Sequence, residues 1–339
     1  MNVSRLTAGL AAGALAFSLA ACGSSGPDTS VSDPAEPTAS GAVSPVIGVA
    51  VLVSHPSLQL IEDGFKDVLD EQGVKAVFIE ENAQADISTA ATIASSFHEN
   101  KDIDLFLAIT TPIAQALSQV EKDRPILYAG VTDPVDAGLV PVIDGPSGSN
   151  ITGTSDLNPN AKPVELIKEI LPAATKIGVL YSSSEPNSFV QVQAFNAEAD
   201  ALGVAVKESA ITNSSELATG VQALSDCDAI FIPTDNTVVS GIATVINFGE
   251  QNQIPVFTAD ADSVQAGTVA TRGISYYELG RRTGEMAVAI LVDGTPVGTI
   301  PALVVQETDL KANPGAAAKM GVTFSESLLK DAVIVETQS

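Results

Sequence analysis

Aromatic residues, cysteines and histidines are all scarce in this sequence. There is no tryptophan, and the 339 residues include four tyrosines, two cysteines and two histidines. Sugars and quaternary ammonium ions are usually recognised on Trp or Tyr faces, so these ligand classes are disfavoured. The only cysteine beyond residue 22 is Cys227, which we expect to be a buried small hydrophobe. With one such thiol, neither an internal disulfide nor a His/Cys metal site is predicted, and no cofactor is indicated.

Basic residues are also scarce, since 16 Lys and Arg stand against 41 Asp and Glu, for a formal charge of −25. Nucleic acid requires basic patches to neutralise its phosphates, so no nucleic-acid partner is expected. The acidic balance does not by itself indicate a cationic ligand, because surface charge commonly serves solubility. The sequence also lacks the G-x-S-x-G, Walker A, H-E-x-x-H and dinucleotide-binding motifs. We therefore predict that the chain is not an enzyme.

The N-terminal segment has the features of an export signal. Arg5 is followed by roughly 15 apolar or small residues, fewer than the ~20 that a spanning helix needs. The run Leu19-Ala20-Ala21-Cys22-Gly23 resembles the bacterial lipobox, whose cysteine is acylated, for example with palmitate, and becomes the first residue after cleavage. We expect a signal peptide at 1–21 and a lipid anchor on Cys22, at the extracytoplasmic face of the cell membrane. The alternative is an ordinary signal peptide with an incidental cysteine.

Residues 22–44 are predicted to be a flexible tether. They consist almost entirely of Gly, Ser, Pro, Thr, Ala, Val, Asp and Glu, with no aromatic residue and no Lys or Arg. Such a segment cannot bury a core. The body that begins at Pro45 has about 290 residues, enough for two ordinary domains.

An internal repeat indicates that the body contains two similar halves. The matches preserve their order along the chain, with an offset of 130 positions in all but one pair, where it is 124. Five pairs of segments match: Ile47-Gly48-Val49 with Ile177-Gly178-Val179, His55-Pro56-Ser57 with Glu185-Pro186-Asn187, 72–74 with 202–204, 104–112 with 228–236, and 125–127 with 255–257.

Short apolar runs alternate with amphipathic stretches in both halves, which predicts two doubly wound, Rossmann-like α/β lobes. The expected strands are 46–53, 75–79, 105–109 and 126–129 in one half, and 176–181, 204–208, 229–233 and 256–258 in the other. A third segment predicts a helix at 276–292, a strand at 300–305 and a helix at 314–320. We expect lobe 1 to comprise 45–155 plus about 273–297, and lobe 2 to comprise 156–272 plus about 298–335. Three chain crossings would then form a hinge.

Ligands of open parallel sheets lie beyond the carboxyl ends of the strands. The loops at those ends are rich in hydroxyls and carboxylates and contain no Lys or Arg, which suits a zwitterion. Thr110, Thr111 and Thr132 are candidates to hold a ligand carboxylate, together with helix N-terminal amides. Asp235 or Glu185 is the candidate to face an ammonium group. The alternative for each residue is helix capping, but duplication across a hinge favours one shared cleft.

Five segments follow one another along the chain in a recognisable order: 54–58 with Gly64-Phe65, Asp104 with 108–112, 132–138, 150–156 and 233–238. In these segments, and over about Pro45 to Val322, the chain resembles the ABC-transporter substrate-binding proteins of the tryptophan/tyrosine type. That resemblance implies a type I periplasmic-binding-protein fold and delivery of a small molecule, in several members an aromatic amino acid, to a membrane permease.

The resemblance also implies a set of ligand contacts and partners. The partners would be the permease and ATPase subunits, and the protein is expected to be a monomer that captures its ligand by lobe closure. An aromatic amino acid is the first expectation and a branched-chain amino acid the second. One departure is that many relatives have Glu at the position of Ser54. The alternatives are a membrane-tethered sensor and an enzyme built on the same fold. The implied contacts are Ser54, His55, Thr110, Thr111, Thr132, Asp133, Asp156, Glu185, Asn187, Asp235, Asn236 and Asp260.

Overall fold

Alternating strands and helices build the protein, as given by a computed structural model that describes residues 44–158, 161–304 and 308–337. The predicted signal peptide, Cys22 and nearly all of the predicted tether lie outside the described residues. The described residues form one compact unit. Its strands are β1 (Val46–Val51), β2 (Val77–Asn82), β3 (Leu105–Ile109), β4 (Ile126–Ala129), β5 (Ile151–Ser155), β6 (Lys176–Ser182), β7 (Ala205–Ile211), β8 (Ala229–Ile232), β9 (Val256–Thr258), β10 (Ala270–Ile274), β11 (Leu303–Val304), β12 (Thr308–Ala312) and β13 (Val333–Ile334).

The helices begin where the sequence supplies a cap or a proline, as at Pro56, Pro163, Pro186 and Pro314. No helix in the described ranges is long and apolar enough to cross a membrane. The helices are α1 (Pro56–Glu71), α2 (Ile87–Glu99), α3 (Thr111–Val120), α4 (Pro163–Ile170), α5 (Pro186–Ala201), α6 (Leu217–Gln222), α7 (Asn236–Ser240), α8 (Ile242–Asn252), α9 (Ser263–Ala266), α10 (Tyr276–Leu291), α11 (Pro314–Lys319) and α12 (Glu326–Asp331).

The first lobe, which we define as residues 44–155 and 275–304, has a six-stranded parallel sheet in the order β11-β5-β4-β3-β1-β2. Strands β3, β4 and β5 are buried along their whole length because helices cover both faces of the sheet. Two apolar cores result, one on each face. Helix α10 packs against α1 so closely that a Cβ on Gly280 would lie 2.0 Å from the Ile61 carbonyl oxygen.

The second lobe, the remaining described residues from 156 onward, has a parallel sheet in the order β7-β6-β8-β9. A smaller sheet, β10-β12-β13, adjoins it, with β10 and β12 antiparallel. One apolar core unites this lobe and includes Cys227, which is buried as expected. The two main sheets have the parallel order expected of doubly wound lobes.

The predicted strands and the observed ones agree closely where the strand is fully buried. The predictions for β3, β4 and β9 match the structure residue for residue. Strand β5 was not predicted, because Thr152, Gly153 and Thr154 interrupt its apolar pattern. Glycine is required there, since a Cβ on Gly153 would lie 2.0 Å from the Tyr128 carbonyl oxygen.

The boundary between the lobes near residue 298 was predicted too early. Strand β11 pairs in parallel with β5, so the first lobe continues to Val304 instead of ending at about 297. The turn before it belongs there too, since the Gly148 amide donates to the Gly298 carbonyl oxygen at 2.9 Å. Among the described strands and helices, successive elements change lobe at three places: after β5, between β10 and α10, and between β11 and β12.

Candidate functional site

The carboxyl ends of the two main sheets carry the predicted ligand loops, and side chains from the two lobes meet there. We refer to the space between these facing loops as the cleft. The contacts show that the lobes are closed upon each other at this edge. Four pairs of side chains in the described residues are hydrogen-bonded between the lobes: His55 Nε2 and Asn236 Oδ1 at 3.5 Å, Ser57 Oγ and Asp260 Oδ1 at 3.2 Å, Gln191 Nε2 and Thr132 Oγ1 at 3.4 Å, and Tyr276 Oη and Asp156 Oδ2 at 2.9 Å.

In the second lobe, Glu185 is fully engaged by its own lobe. Its side chain is 1% exposed and lies at the end of β6, where it faces the start of α7. Each of its oxygens accepts hydrogen bonds from that helix start, which satisfies amides that would otherwise lack partners. The donors are the Asn236 amide, Asn236 Nδ2, Asn187 Nδ2, the Thr237 amide and Thr237 Oγ1, at 2.5 to 3.2 Å.

Asp235 is engaged in the same way. Its carboxylate accepts from the Ser182 amide at 2.5 Å, the Ser188 hydroxyl at 2.7 Å and the Val238 amide at 2.8 Å. Burial and the neighbouring Glu185 carboxylate raise the pKa of Asp235 to about 8. These bonds cap α7 and join it to β6 and α5. The geometry therefore favours a structural role for Asp235 and Glu185 over the ammonium contact expected from the sequence.

In the first lobe, Thr110 and Thr111 have no such partners. Both side chains are buried, and neither hydroxyl makes a hydrogen bond within the protein. Thr110 immediately precedes α3 and has a φ of 89°, a left-handed conformation that is unfavourable for a β-branched residue. Strain of this kind persists where the surrounding structure holds a residue for another purpose. The two hydroxyls lie at the N-terminus of a ten-residue helix, where an anion is stabilised.

His55 also has an unused polar atom. Burial lowers the pKa of His55, although the Asp260 and Glu185 carboxylates oppose that shift. The ring is therefore neutral at neutral pH. If Nε2 donates to Asn236, then Nδ1 is an acceptor, and it is buried without a partner.

Asp156 lies where β5 leaves the first lobe, and only one of its oxygens is bonded within the protein by a described contact. Oδ2 accepts from the Tyr276 hydroxyl at 2.9 Å, whereas Oδ1 is buried with no partner. Burial raises the pKa of Asp156, and the Asp260 carboxylate adds to that shift, while the Thr132 and Tyr276 hydroxyls oppose it. An ammonium group at Oδ1 would give this oxygen a hydrogen-bond donor and would stabilise the buried negative charge.

Asp260 connects the two sides of the cleft. Its Oδ1 accepts from the Ser263 amide at 2.8 Å and from Ser57 Oγ, and its Oδ2 accepts from Ser263 Oγ at 2.7 Å. The carboxylate thus caps α9 and contacts the first turn of α1 in the other lobe. Asn187 Nδ2 is likewise bonded, to Glu185 and to the Thr234 carbonyl oxygen, but its Oδ1 is buried without a partner.

Two predicted residues have local roles. Ser54 is exposed and accepts from Asn82 Nδ2 at 2.6 Å. Asp133 caps the following turn by accepting from the Val135 and Asp136 amides at 3.0 and 2.9 Å. The Asp133 contacts are the capping that was the alternative for each loop residue, whereas the Ser54 contact joins the loop to the end of β2.

Three cleft residues were missing from the predicted set. Ser57 had a usable signal, because it matches Asn187 in the internal repeat. Gln191 lies one turn inside α5 and Tyr276 begins α10, so a sequence reading assigns both to ordinary helix positions. No group of three or more His, Cys, Asp or Glu among the residues described is arranged to hold a metal ion.

Comparison with known proteins agrees with this geometry. The family profile described as ABC transporter substrate binding protein matches residues 46–336. The chain belongs to this family. It is 40% identical over 272 residues to a tyrosine-binding protein of Clostridioides difficile. The aligned region covers 79% of this chain and 78% of that relative. The prediction of a substrate-binding protein that is not an enzyme is therefore confirmed.

Solved structures show the fold and the arrangement of the lobes. A Streptococcus pneumonia domain in complex with L-Trp matches with a TM-score of 0.82 at 38% identity, covering 86% of this chain and all of that one. The ligand-free, open structure of a Clostridium difficile substrate binding protein matches with a TM-score of 0.64 at 39% identity. The match covers 87% of this chain and 100% of that one. At nearly equal identity, the described arrangement is thus closer to the L-Trp complex than to the open structure.

More distant structures establish the fold class alone. A periplasmic binding protein/LacI transcriptional regulator from Alkaliphilus metalliredigens matches with a TM-score of 0.56 at 13% identity, covering 78% of this chain and 96% of that one. The predicted type I periplasmic-binding-protein fold is confirmed.

Proposed function

We propose that this chain is the extracytoplasmic solute-binding lipoprotein of an ABC importer and that it captures a zwitterionic amino acid, with aromatic amino acids as the preferred class. One observation carries this proposal. Five polar atoms of the predicted site residues are buried without a partner, a state that costs free energy unless a ligand satisfies them. They are His55 Nδ1, Thr110 Oγ1, Thr111 Oγ1, Asp156 Oδ1 and Asn187 Oδ1.

The chemistry of these atoms complements an amino acid. The two threonine hydroxyls can donate to a carboxylate, with help from the N-terminus of α3. The other three atoms are acceptors, and an ammonium group has three N–H donors to offer. We assign the ammonium chiefly to Asp156, because a buried carboxylate oxygen forms the strongest of these bonds.

The choice of an aromatic amino acid rests on the relatives. One of them is a tyrosine-binding protein, and another was solved with L-Trp, at 40% and 38% identity. Branched-chain amino acids are the second class to test. Capture occurs by closure: the open form admits the ligand, and the ligand shifts the equilibrium to the closed form through contacts with both lobes. One chain supplies both lobes, so we propose that the protein acts as a monomer.

A thermal-shift screen of the purified protein against the common amino acids tests ligand capture. A ligand that binds only the folded state raises the melting temperature by mass action. We expect the largest rise with L-tryptophan, L-tyrosine or L-phenylalanine, confirmed by calorimetric titration. A rise confined to branched-chain amino acids would replace the aromatic class. A flat response to every amino acid would contradict the proposal.

Delivery to a permease and ATPase is tested in cells. Deletion of the gene is expected to lower uptake of the labelled ligand, and the wild-type gene is expected to restore it. Unchanged uptake, despite ligand binding in vitro, would favour the membrane-tethered sensor.

The proposed lipid anchor on Cys22 is supported by the lipobox resemblance of Leu19–Gly23. Two or three acyl chains suffice for stable anchoring, and the tether would keep the ligand-binding body close to the permease. Labelling with a palmitate analogue is expected to mark the wild type but not Cys22→Ser. Label retained by Cys22→Ser would contradict the assignment.

A further inference from the structure

A groove of about 320 Å³ opens in the second lobe between helix α5 and residues in the ranges 156–158 and 161–166. Its floor is apolar and aromatic, with Phe195, Phe231 and Phe257 among the lining residues. The rings of Phe195 and Phe231 stack with centroids 4.6 Å apart and an interplanar angle of 12°. Pockets for small molecules occupy about 300 to 1,000 Å³, so this groove has room for a group the size of one ring system.

One end of the groove is part of the cleft. Asp156, Gln191, Thr234 and Tyr276 line it there. Gln191 Nε2 donates both to Thr234 Oγ1 and to Thr132 Oγ1 of the first lobe. Asp156 is 8% exposed, and its Oδ1 is the acceptor to which we assigned the ligand ammonium. The groove therefore begins beside the proposed position of the ligand head group.

A second cavity, of about 380 Å³, does not share this position. It lies beside Pro172 and Asp228, at the amino end of the second-lobe sheet, and none of the predicted ligand residues lines it. Of the two cavities, only the groove adjoins a buried polar atom that needs a ligand.

We propose that the groove receives the ring of the bound amino acid and selects for an aromatic side chain. This inference rests on the proposed function, since it assumes that the head group lies in the cleft. With the ammonium on Asp156, the side chain leaves the Cα toward the phenylalanine floor, where it buries apolar area and contacts aromatic rings. The head-group contacts of both lobes then hold any amino acid, and the groove, which the second lobe lines except for Tyr276, sets side-chain specificity.

Ala194 provides a way to fill the groove without disturbing the core. It lies on α5, is exposed and lines the groove, whereas Ala197 on the same helix is exposed and does not line it. Ala194→Phe and Ala197→Phe thus add the same ring to the same helix. Both variants are made in the full-length protein, purified in detergent, and their melting temperatures are compared with the wild type to verify folding.

The absence of tryptophan from the chain gives a direct readout, because bound L-tryptophan is the sole indole fluorophore. In the wild type we expect its emission to shift to shorter wavelength on binding, as the indole leaves water for an apolar site. Titrations of L-tryptophan and of L-valine are followed by calorimetry in all three proteins. We expect Ala194→Phe to lower the affinity for L-tryptophan by about ten-fold or more. Its affinity for L-valine should fall by a smaller factor. Ala197→Phe should match the wild type.

The outcomes separate this inference from the proposed function. Equal L-tryptophan affinity in folded Ala194→Phe and Ala197→Phe overturns the groove assignment, whatever the emission, and leaves capture of an amino acid intact. Tight L-tryptophan binding without an emission shift also overturns it, because the indole would then remain in a polar site. If the wild type binds no aromatic amino acid, the proposed preference fails, and the assignment of the ring fails with it.

Discussion

His55 and Glu185 occupy matching positions in the two lobes, 130 residues apart, and their bonding is opposite. Each precedes a proline that starts a helix, and that helix follows the first strand of the parallel sheet in its lobe, β1 or β6. His55 makes one long hydrogen bond of 3.5 Å and keeps an unpartnered nitrogen, whereas Glu185 accepts five hydrogen bonds from its own lobe. Matching positions of the two lobes thus carry a side chain with an unused hydrogen-bonding atom on one side of the cleft and a fully hydrogen-bonded side chain on the other.

The next pair of matching loops repeats this difference. Thr111 corresponds to Asp235 at an offset of 124, and the Thr111 hydroxyl has no partner, while the Asp235 carboxylate has three. The second-lobe face is pre-organised by its carboxylates. The first-lobe face and Asp156 supply most of the unused bonding capacity. Duplicated loops of similar composition therefore have different roles: the second-lobe loops stabilise the fold, and the first-lobe loops are available to bind the ligand.

Substitution of the matched pair gives the largest expected effect. Glu185→Ala leaves several buried donors without an acceptor, which should lower the free energy of unfolding by about 3 to 5 kcal/mol. His55→Ala removes one weak bond and should cost less than about 1 kcal/mol. Urea denaturation of both variants measures this difference. Equal losses of unfolding free energy in the two variants would contradict the difference in bonding between His55 and Glu185.

A threonine pair should separate affinity from stability. Thr111→Val keeps the shape of the side chain and removes a hydroxyl that has no partner, so stability should be unchanged or higher. Its affinity for the amino acid should fall by about ten- to a hundred-fold, the value of a hydrogen bond to a charged group. Calorimetry and thermal melting report the two quantities.

Thr237→Val is the matched control in the second lobe. The Thr237 hydroxyl donates to Glu185 at 2.7 Å, so its loss should lower stability by about 1 to 3 kcal/mol. Loss of stability in Thr111→Val, with affinity unaltered, would assign the first-lobe hydroxyl to the fold instead of the ligand.

The pH dependence of stability should reflect the buried aspartates. Burial raises the pKa of Asp156 and of Asp262, and it raises that of Asp235 to about 8. Between about pH 4 and pH 8 these three carboxyl groups hold protons in the folded state that the unfolded chain releases, so their contribution to the free energy of unfolding should fall as pH rises. His55, whose pKa is lowered, contributes with the opposite sign. Denaturation of the unliganded protein at pH 5 and pH 8 measures the fall.

Asp156→Asn should reduce this pH dependence, because one titrating group is removed while an oxygen remains for Tyr276. Asp102→Asn, at an exposed position, is the control and should behave as the wild type. A pH dependence that is unaltered in Asp156→Asn would show that Asp156 titrates alike in the folded and unfolded chain.

The smallest expected effect concerns the contact across the cleft. Ser57→Ala removes the bond from Ser57 Oγ to Asp260, which exists only when the lobes are closed. Ligand affinity should fall by about two- to ten-fold, with no change in the stability of the individual lobes. Small-angle scattering without ligand should detect a larger fraction of the open form. Identical scattering and affinity would mean that this contact does not bias closure.

The sequence predicted the buried parallel strands well, because β3, β4 and β9 are short apolar runs that have no competing interpretation. It missed β5, whose threonines and glycine are dictated by packing against β4, and it placed β11 in the wrong lobe. That error has a physical reason: a two-residue edge strand is assigned by its pairing with β5, which lies some 150 residues earlier in the chain.

The predicted site was harder to resolve, because capping and ligand binding use the same residue types. Asp133, Asp235 and Asp156 all follow strands and all appear equivalent in the sequence. Only the three-dimensional partners distinguish a cap for the next turn, a link within the second lobe and a carboxylate with a free oxygen. Two of the three donors to Asp235, the Ser182 amide and the Ser188 hydroxyl, lie 53 and 47 residues away, so no local pattern could reveal them.

A crystal structure of the protein grown with L-tryptophan would test the division of roles most directly. We expect the ligand carboxylate within about 3 Å of the Thr110 or Thr111 hydroxyl, and the ammonium at the same distance from Asp156 Oδ1. The bonds of Glu185 and Asp235 within the second lobe should remain as they are. An ammonium bound to Asp235 or Glu185, with Thr110 and Thr111 away from the ligand, would contradict this account.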